Sequence, residues 1–102
     1  MNSIIENNKS SIDKLCKDNK VNQLFVFGSV LNEKFNEKSD VDFVVSFDKS
    51  IALLDYADNY FNLLFGFEDL FKRDIDLVTE NSLKNPYFIE ELNETKQLIY
   101  AA

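Results

Sequence analysis

The chain predicts a small α/β (α+β) domain, a mixed β-sheet with helices packed on it. Three observations carry that expectation. First, apolar residues gather at strand spacing in Leu24-Phe25-Val26-Phe27, in Val41-Asp42-Phe43-Val44-Val45-Ser46-Phe47 and in Ile75-Asp76-Leu77-Val78. Second, segments of helical periodicity lie before, between and after these runs. Third, two glycines and one proline in 102 residues leave little material for long connections. With no internal repeat, low-complexity run or linker, residues 1–102 are expected to form one domain.

The elements follow in order. Ser3 with Glu6 has the spacing of a capping box, and Ile5, Ile12, Leu15 and Cys16 continue the pattern, so one helix is expected from Ser3 to about Lys17. Asp18-Asn19-Lys20 breaks it. Val21 to Phe27 then reads as a buried strand, ended by Gly28-Ser29. Residues 32–39 are polar and read as a loop, with room for one helical turn at its start. Asp40 to Phe47 is the second strand, and Asp48-Lys49-Ser50 turns the chain. From Ile51 to about Phe71, Leu54, Ala57, Phe61, Leu64, Phe65 and Phe71 recur as the face of a helix laid on a sheet, which Gly66 is expected to kink or divide. Asp74 to Thr79 is a third strand. Asn85-Pro86 suits the start of a last helix carrying Ile89 and Leu92, and Gln97 to Tyr100 a closing strand.

Composition excludes several kinds of chemistry. There is no histidine, which removes Ser-His-Asp triads, imidazole acid–base catalysis and most zinc sites. Cys16 is the only cysteine, so no intramolecular disulfide forms; within a helical pattern it is expected to pack rather than react. A formal net charge of −7 opposes the cationic footprint of direct nucleic-acid binding. No cationic leader and no membrane-length apolar run is present, so the expected location is cytoplasmic, without membrane contact.

The sharpest local feature is Asp40 with Asp42. Two residues apart on a strand, they share one face, and like charges so close favour a divalent cation between them. Hard ions such as Mg²⁺ take carboxylate oxygens and keep positions open for phosphate. Beside them, Gly28-Ser29 ends a buried strand; a glycine backbone can approach an anion closely, and amides and the Ser29 hydroxyl can donate to phosphate oxygens. A third acidic site lies at Asp74 and Asp76, and strand parity alone does not choose between the two. Three carboxylates around two metal ions with a phosphate cradle suit in-line attack on phosphorus.

Phe27-Gly28-Ser29, Ser39-Asp40-Val41-Asp42-Phe43-Val44-Val45 and Ile75-Asp76-Leu77-Val78 together resemble the DNA polymerase β-like nucleotidyltransferase superfamily, and within it the minimal nucleotidyltransferases of antitoxin type. The resemblance implies a polymerase β-like fold in which Gly28 and Ser29 contact the β- and γ-phosphates of ATP. It also implies that Asp40 and Asp42 ligate two Mg²⁺ ions, and that Asp76 completes the metal set and helps deprotonate the attacking hydroxyl. The Asp-Leu-Val pattern selects Asp76 over Asp74. Relatives often carry arginines directly after the Gly-Ser pair; here Val30-Leu31-Asn32-Glu33 stands there, and Arg73 is the single arginine. Lys34 and Lys38 are the nearest loop cations, and Lys38 is the candidate to neutralise phosphate as a point charge, solvated loop charge being the plain alternative.

The resemblance further implies transfer of AMP from ATP to a hydroxyl, a tyrosine above all, of a HEPN-like toxin protein encoded nearby, which this chain would silence as antitoxin. Two other readings stand beside it. One is a binding module of the same fold that neutralises its partner by contact, with aromatics such as Tyr56, Tyr60 or Phe67 as the interface. The other is a small-molecule nucleotidyltransferase working as a homo-oligomer.

Overall fold

The structure, a computed structural model, describes residues 3–102. Its elements run α1 (Ser3–Glu6), α2 (Lys9–Asp18), β1 (Val21–Phe27), β2 (Val41–Phe47), α3 (Leu53–Phe71), β3 (Ile75–Thr79), α4 (Pro86–Thr95) and β4 (Gln97–Ala101), with short 3-10 turns at Gly28–Leu31 and Glu80–Ser82. The four strands form one mixed sheet in the order β3-β2-β1-β4. β1 lies antiparallel to both β2 and β4, and β2 runs parallel to β3. The parallel pair needs a crossover, which α3 supplies.

The expected fold class and its sheet are therefore present. Where the single N-terminal helix was expected, two short ones stand. The break falls at Asn7-Asn8, where the Asn8 side-chain amide donates to the Ile4 carbonyl at 2.7 Å. Asparagine offers the backbone a local alternative to helix continuation. Ser3 and Glu6 both lie in α1, and the capping box expected of them borders residues 1 and 2, outside the described residues.

One sheet face is the core. Val41, Phe43, Val45 and Phe47 of β2, Leu24 and Val26 of β1, Leu77 and Ile99 point to the same side and are buried under α1, α2 and α3. Phe43 lies at the centre, stacked on Phe67 at 4.8 Å between ring centroids and 6.0 Å from Phe71. Such aromatic packing makes Phe43 worth about 3–5 kcal/mol against truncation to alanine.

Two expectations about α3 are corrected. Gly66 neither kinks nor divides the helix, which is continuous from Leu53 to Phe71. A Cβ at Gly66 would stand 2.6 Å from Leu15 Cδ2, so the missing side chain brings α3 close to α2. The buried face is only in part the one expected: Phe71 is buried and Leu64 packs against the core as expected, but the rest of the stripe differs. Leu63, Phe67 and Phe71 face the core, whereas Leu54, Phe61 and Phe65 are exposed, Leu54 at 87%. Phe67 is fully buried, so it is not available as a contact surface; Tyr56 and Tyr60 are partly covered. The helix is apolar around much of its girth, and only the sheet it lands on decides which stripe is inward. Among the described residues no helix is long and apolar enough to cross a membrane.

α4 lies on the other face. Phe88 meets Phe27 edge-on at 6.2 Å, and Lys96 stands 4.1 Å over the ring of Phe25. Asn85 caps the helix as its sequence suggests, accepting from the amides of Tyr87 and Phe88 at 3.0 and 3.3 Å, with Pro86 at the first position. This second face carries the candidate site.

Candidate nucleotidyl-transfer site

The strand register builds the site. Asp42 stands opposite Asp76 across the parallel β2–β3 pair and opposite Phe27 across the antiparallel β1–β2 pair. Asp42, Asp76 and Phe27 therefore share the face away from the core. Asp40 precedes β2 by one residue, so its strand begins one position later than expected and Asp40 is exposed. Asp74 likewise lies just before β3 and is exposed.

Gly28 follows Phe27 in a left-handed conformation, φ +77°. A Cβ there would collide with the Asp42 carboxylate, whose Cγ would lie at 3.3 Å and Cβ at 3.6 Å. Glycine is required on both counts: L-residues resist that φ, and the backbone passes hard against the acid. The Gly-Ser turn and the acidic pair, fourteen positions apart in sequence for Gly28 and Asp42, thus form one surface. Ser29 continues into the 3-10 turn at the same edge.

Electrostatics sets Asp42 apart. Its pKa is raised from 3.8 to about 6, first by burial and then by the negative charges of Asp76 and Asp40. Among the described residues no group of three or more acidic or thiol side chains is placed to hold a metal ion. The paired Asp42 and Asp76 are carboxylates, the donor type that a hard divalent cation takes.

A cleft of about 600 Å³ opens beside Gly28 and Ser29, walled by Phe27, Phe88, Leu92, Glu91 and Thr95 among others. Gly28 belongs to both the cleft and the Asp42 contact, so the two meet there. The α4 wall was not legible in the sequence, which placed Ile89 and Leu92 on a helix without indicating what they cover; Leu92 is buried. Lys38 is not brought to this cleft. It is exposed in the 32–39 loop, its backbone amide held by Asn36 Oδ1 at 2.8 Å. Arg73 turns to the same loop, its guanidinium bonding main-chain carbonyls there.

Other ionisable groups stand apart. The Cys16 thiol is buried and its pKa pushed up to about 12, by desolvation before the charge of Asp13, which agrees with a packing role and not a nucleophilic one.

Comparison with known proteins places this arrangement. Residues 10–102 match the family model described as "Polymerase beta, Nucleotidyltransferase". The "Putative protein adenylyltransferase MJ1217" of Methanocaldococcus jannaschii is 35% identical over 83 residues, covering 79% of this chain and 76% of that one. Among solved structures, a "putative minimal nucleotidyltransferase" is 28% identical with a TM-score of 0.68, covering 95% of each chain. A chain from the structure of a tri-AMPylated Shewanella oneidensis HEPN toxin in complex with MNT antitoxin shares the fold at 20% identity and a TM-score of 0.61, covering 96% of this chain and 73% of that one. With Asp42 set between Gly28 and Asp76 on a mixed sheet of this order, and with the family model matching residues 10–102, the chain belongs to the polymerase beta nucleotidyltransferase family and is a nucleotidyltransferase.

Proposed function

We propose that this chain moves AMP from ATP to a tyrosine hydroxyl of a HEPN-type partner in the cytoplasm, acting as the antitoxin of a toxin–antitoxin pair. The observation that carries the chemistry is Asp42 itself, set against Gly28 on one side and opposite Asp76 on the other, and pushed toward its neutral form by burial first and then by the charges of Asp76 and Asp40. The partner reading is supported by the relative described as a protein adenylyltransferase and by the fold neighbour found in a complex with an AMPylated HEPN toxin.

In this mechanism Gly28 and Ser29 cradle the terminal phosphates through backbone amides and the Ser29 hydroxyl, in the cleft that α4 closes. Lys38 lies outside the cleft as the structure stands and would reach a phosphate as a point charge only if the 32–39 loop moved toward it. Asp40, Asp42 and Asp76 are the residues that would hold two Mg²⁺ ions. Those ions, when bound, neutralise phosphate charge and relieve the repulsion that now falls on Asp42. The acceptor oxygen attacks the α-phosphorus in line, its proton passes to Asp76, and the bond to the pyrophosphate oxygen breaks. One phosphoester forms as one phosphoanhydride is lost, so no further reactant is required.

The test combines the purified chain, Mg²⁺, ATP labelled at the α-phosphate and the HEPN-type protein encoded beside it, with Asp42→Asn as control. Label should enter the partner with the wild type and fall at least a hundredfold with the variant. Neutralisation of the partner without label, equal in both proteins, would instead favour a contact inhibitor.

A further inference from the structure

Asp40 is the acid that the sheet holds least. It lies outside β2, exposed, at the end of an eight-residue polar loop. Two hydrogen bonds nevertheless bracket it. On one side the Arg73 guanidinium donates to the Ser39 carbonyl at 2.9 Å. On the other, the Val41 amide donates to the Asp74 carbonyl at 3.2 Å. Both partners come from consecutive residues, Arg73 and Asp74, which lead directly into β3 and Asp76.

The grip extends into the loop. The same Arg73 nitrogen donates to the Asn36 carbonyl at 3.0 Å, and the guanidinium stands 4.7 Å over the ring of Phe35. The Asn36 and Ser39 main chains are themselves tied, with the Ser39 amide donating to the Asn36 carbonyl at 3.0 Å. Arg73 Nε is buried with no hydrogen-bond partner among the described residues. Burying a charged group with a donor unmet is costly, so the side chain is held by what its other nitrogen and its ring contact achieve.

We propose that Arg73, the single arginine of the chain, is a positioning residue that fixes Asp40 relative to Asp76. The clamp makes one rigid unit of the β2 entrance and the β3 entrance, so the two outer acids keep a set distance while Asp42 sits between them on the sheet. An arginine spent on loop carbonyls is not available to a phosphate, so its contribution to nucleotide handling passes through Asp40. This inference rests on the reading of Asp40 as an ion ligand.

The experiment measures Mn²⁺ affinity by electron paramagnetic resonance in the presence of α,β-methylene ATP, whose bridging carbon blocks transfer. It is paired with amide hydrogen exchange on the same proteins. Arg73→Met should weaken Mn²⁺ binding roughly tenfold, the scale seen for residues that orient metal ligands. Arg73→Lys, which keeps a donor but not the planar stack on Phe35, should fall between. In an Asp40→Asn background, Arg73→Met should add less than about twofold, because its effect has already been removed. Exchange of the Ser39 and Val41 amides should accelerate in Arg73→Met while β1 amides stay protected. An equal loss of Mn²⁺ affinity with and without Asp40 would overturn the positioning role and leave only general destabilisation. Unchanged exchange at Ser39 and Val41 would overturn the clamp. Absence of Mn²⁺ binding by the wild type would defeat the ion-ligand reading itself, and the exchange measurement would still decide whether Arg73 clamps the loop.

Discussion

Replacing Asp42 by Asn removes one negative charge at nearly constant shape, and its effect on stability can be worked out from the site. In the folded chain the Asp42 pKa is about 6, against 3.8 for the group in its ordinary state. The folded state therefore binds the proton more tightly than the unfolded state. Below about pH 4 both states are protonated and Asp42 costs nothing. As pH rises from about 4 to about 6, the unfolded chain gives up its proton first, and the fold loses stability. Above about pH 6 the loss is complete and constant. The displacement of about two units would correspond to about 3 kcal/mol. The carboxylate is only half-buried, however, and solvent screening reduces this to roughly 1 kcal/mol. Asp42→Asn should then raise stability by about that amount at pH 7.5 in EDTA and change it little at pH 4. Urea unfolding at a series of pH values measures this directly. Addition of Mg²⁺ with ATP should stabilise the wild type more than the variant, since the ions act on the same repulsion. A variant that is neutral or less stable than wild type at pH 7.5 would refute the electrostatic account of the site, as would a gain that does not depend on pH.

Further outcomes follow from single positions. Gly28→Ala must adopt a left-handed φ and push its methyl into the Asp42 carboxylate; unfolding should show a loss of about 1–2 kcal/mol. Transfer by that variant should fall by roughly 100-fold through displacement of Asp42. Gly66→Ala sets a helix-propensity gain of about 1 kcal/mol against repacking of Leu15, which the new methyl would approach to 2.6 Å. The net should be near zero in the wild-type background and favourable in Leu15→Ala, read by thermal unfolding. Asn85→Ala removes both hydrogen bonds of the side-chain cap of α4 and should cost about 1 kcal/mol, with faster amide exchange confined to α4 and the cleft it walls.

The sheet was legible because its strands are short, β-branched and aromatic, and bounded by polar turns. β1 stands where the sequence put it, Val21–Phe27, and α4 begins where Asn85-Pro86 said it would. The inward stripe of α3 was not legible. Phe61, Leu64 and Phe65 form as good an apolar row as Leu63, Phe67 and Phe71, and periodicity cannot rank two rows on a helix that is apolar on both sides. The break at Asn7-Asn8 escaped for a related reason: Ile5 and Ile12 keep helical phase across it, and both are buried. Within the site, spacing two suggests one face for Asp40 and Asp42, but the meeting of Asp42 with Asp76 depends on which strands pair and in what register. Sequence spacing carries nothing of that. Nor could it show that Arg73, 37 residues from Asn36, closes the loop before Asp40.

The proposed mechanism requires Asp40, Asp42 and Asp76 to act as one ion-holding set beside the Gly28-Ser29 cradle. Counting Mn²⁺ ions bound per chain in the presence of α,β-methylene ATP tests it most directly, with Asp40→Asn, Asp42→Asn and Asp76→Asn measured alongside. The wild type should bind two ions, and each substitution should lose at least one. Equal occupancy in the wild type and in a variant carrying all three substitutions would contradict the claim.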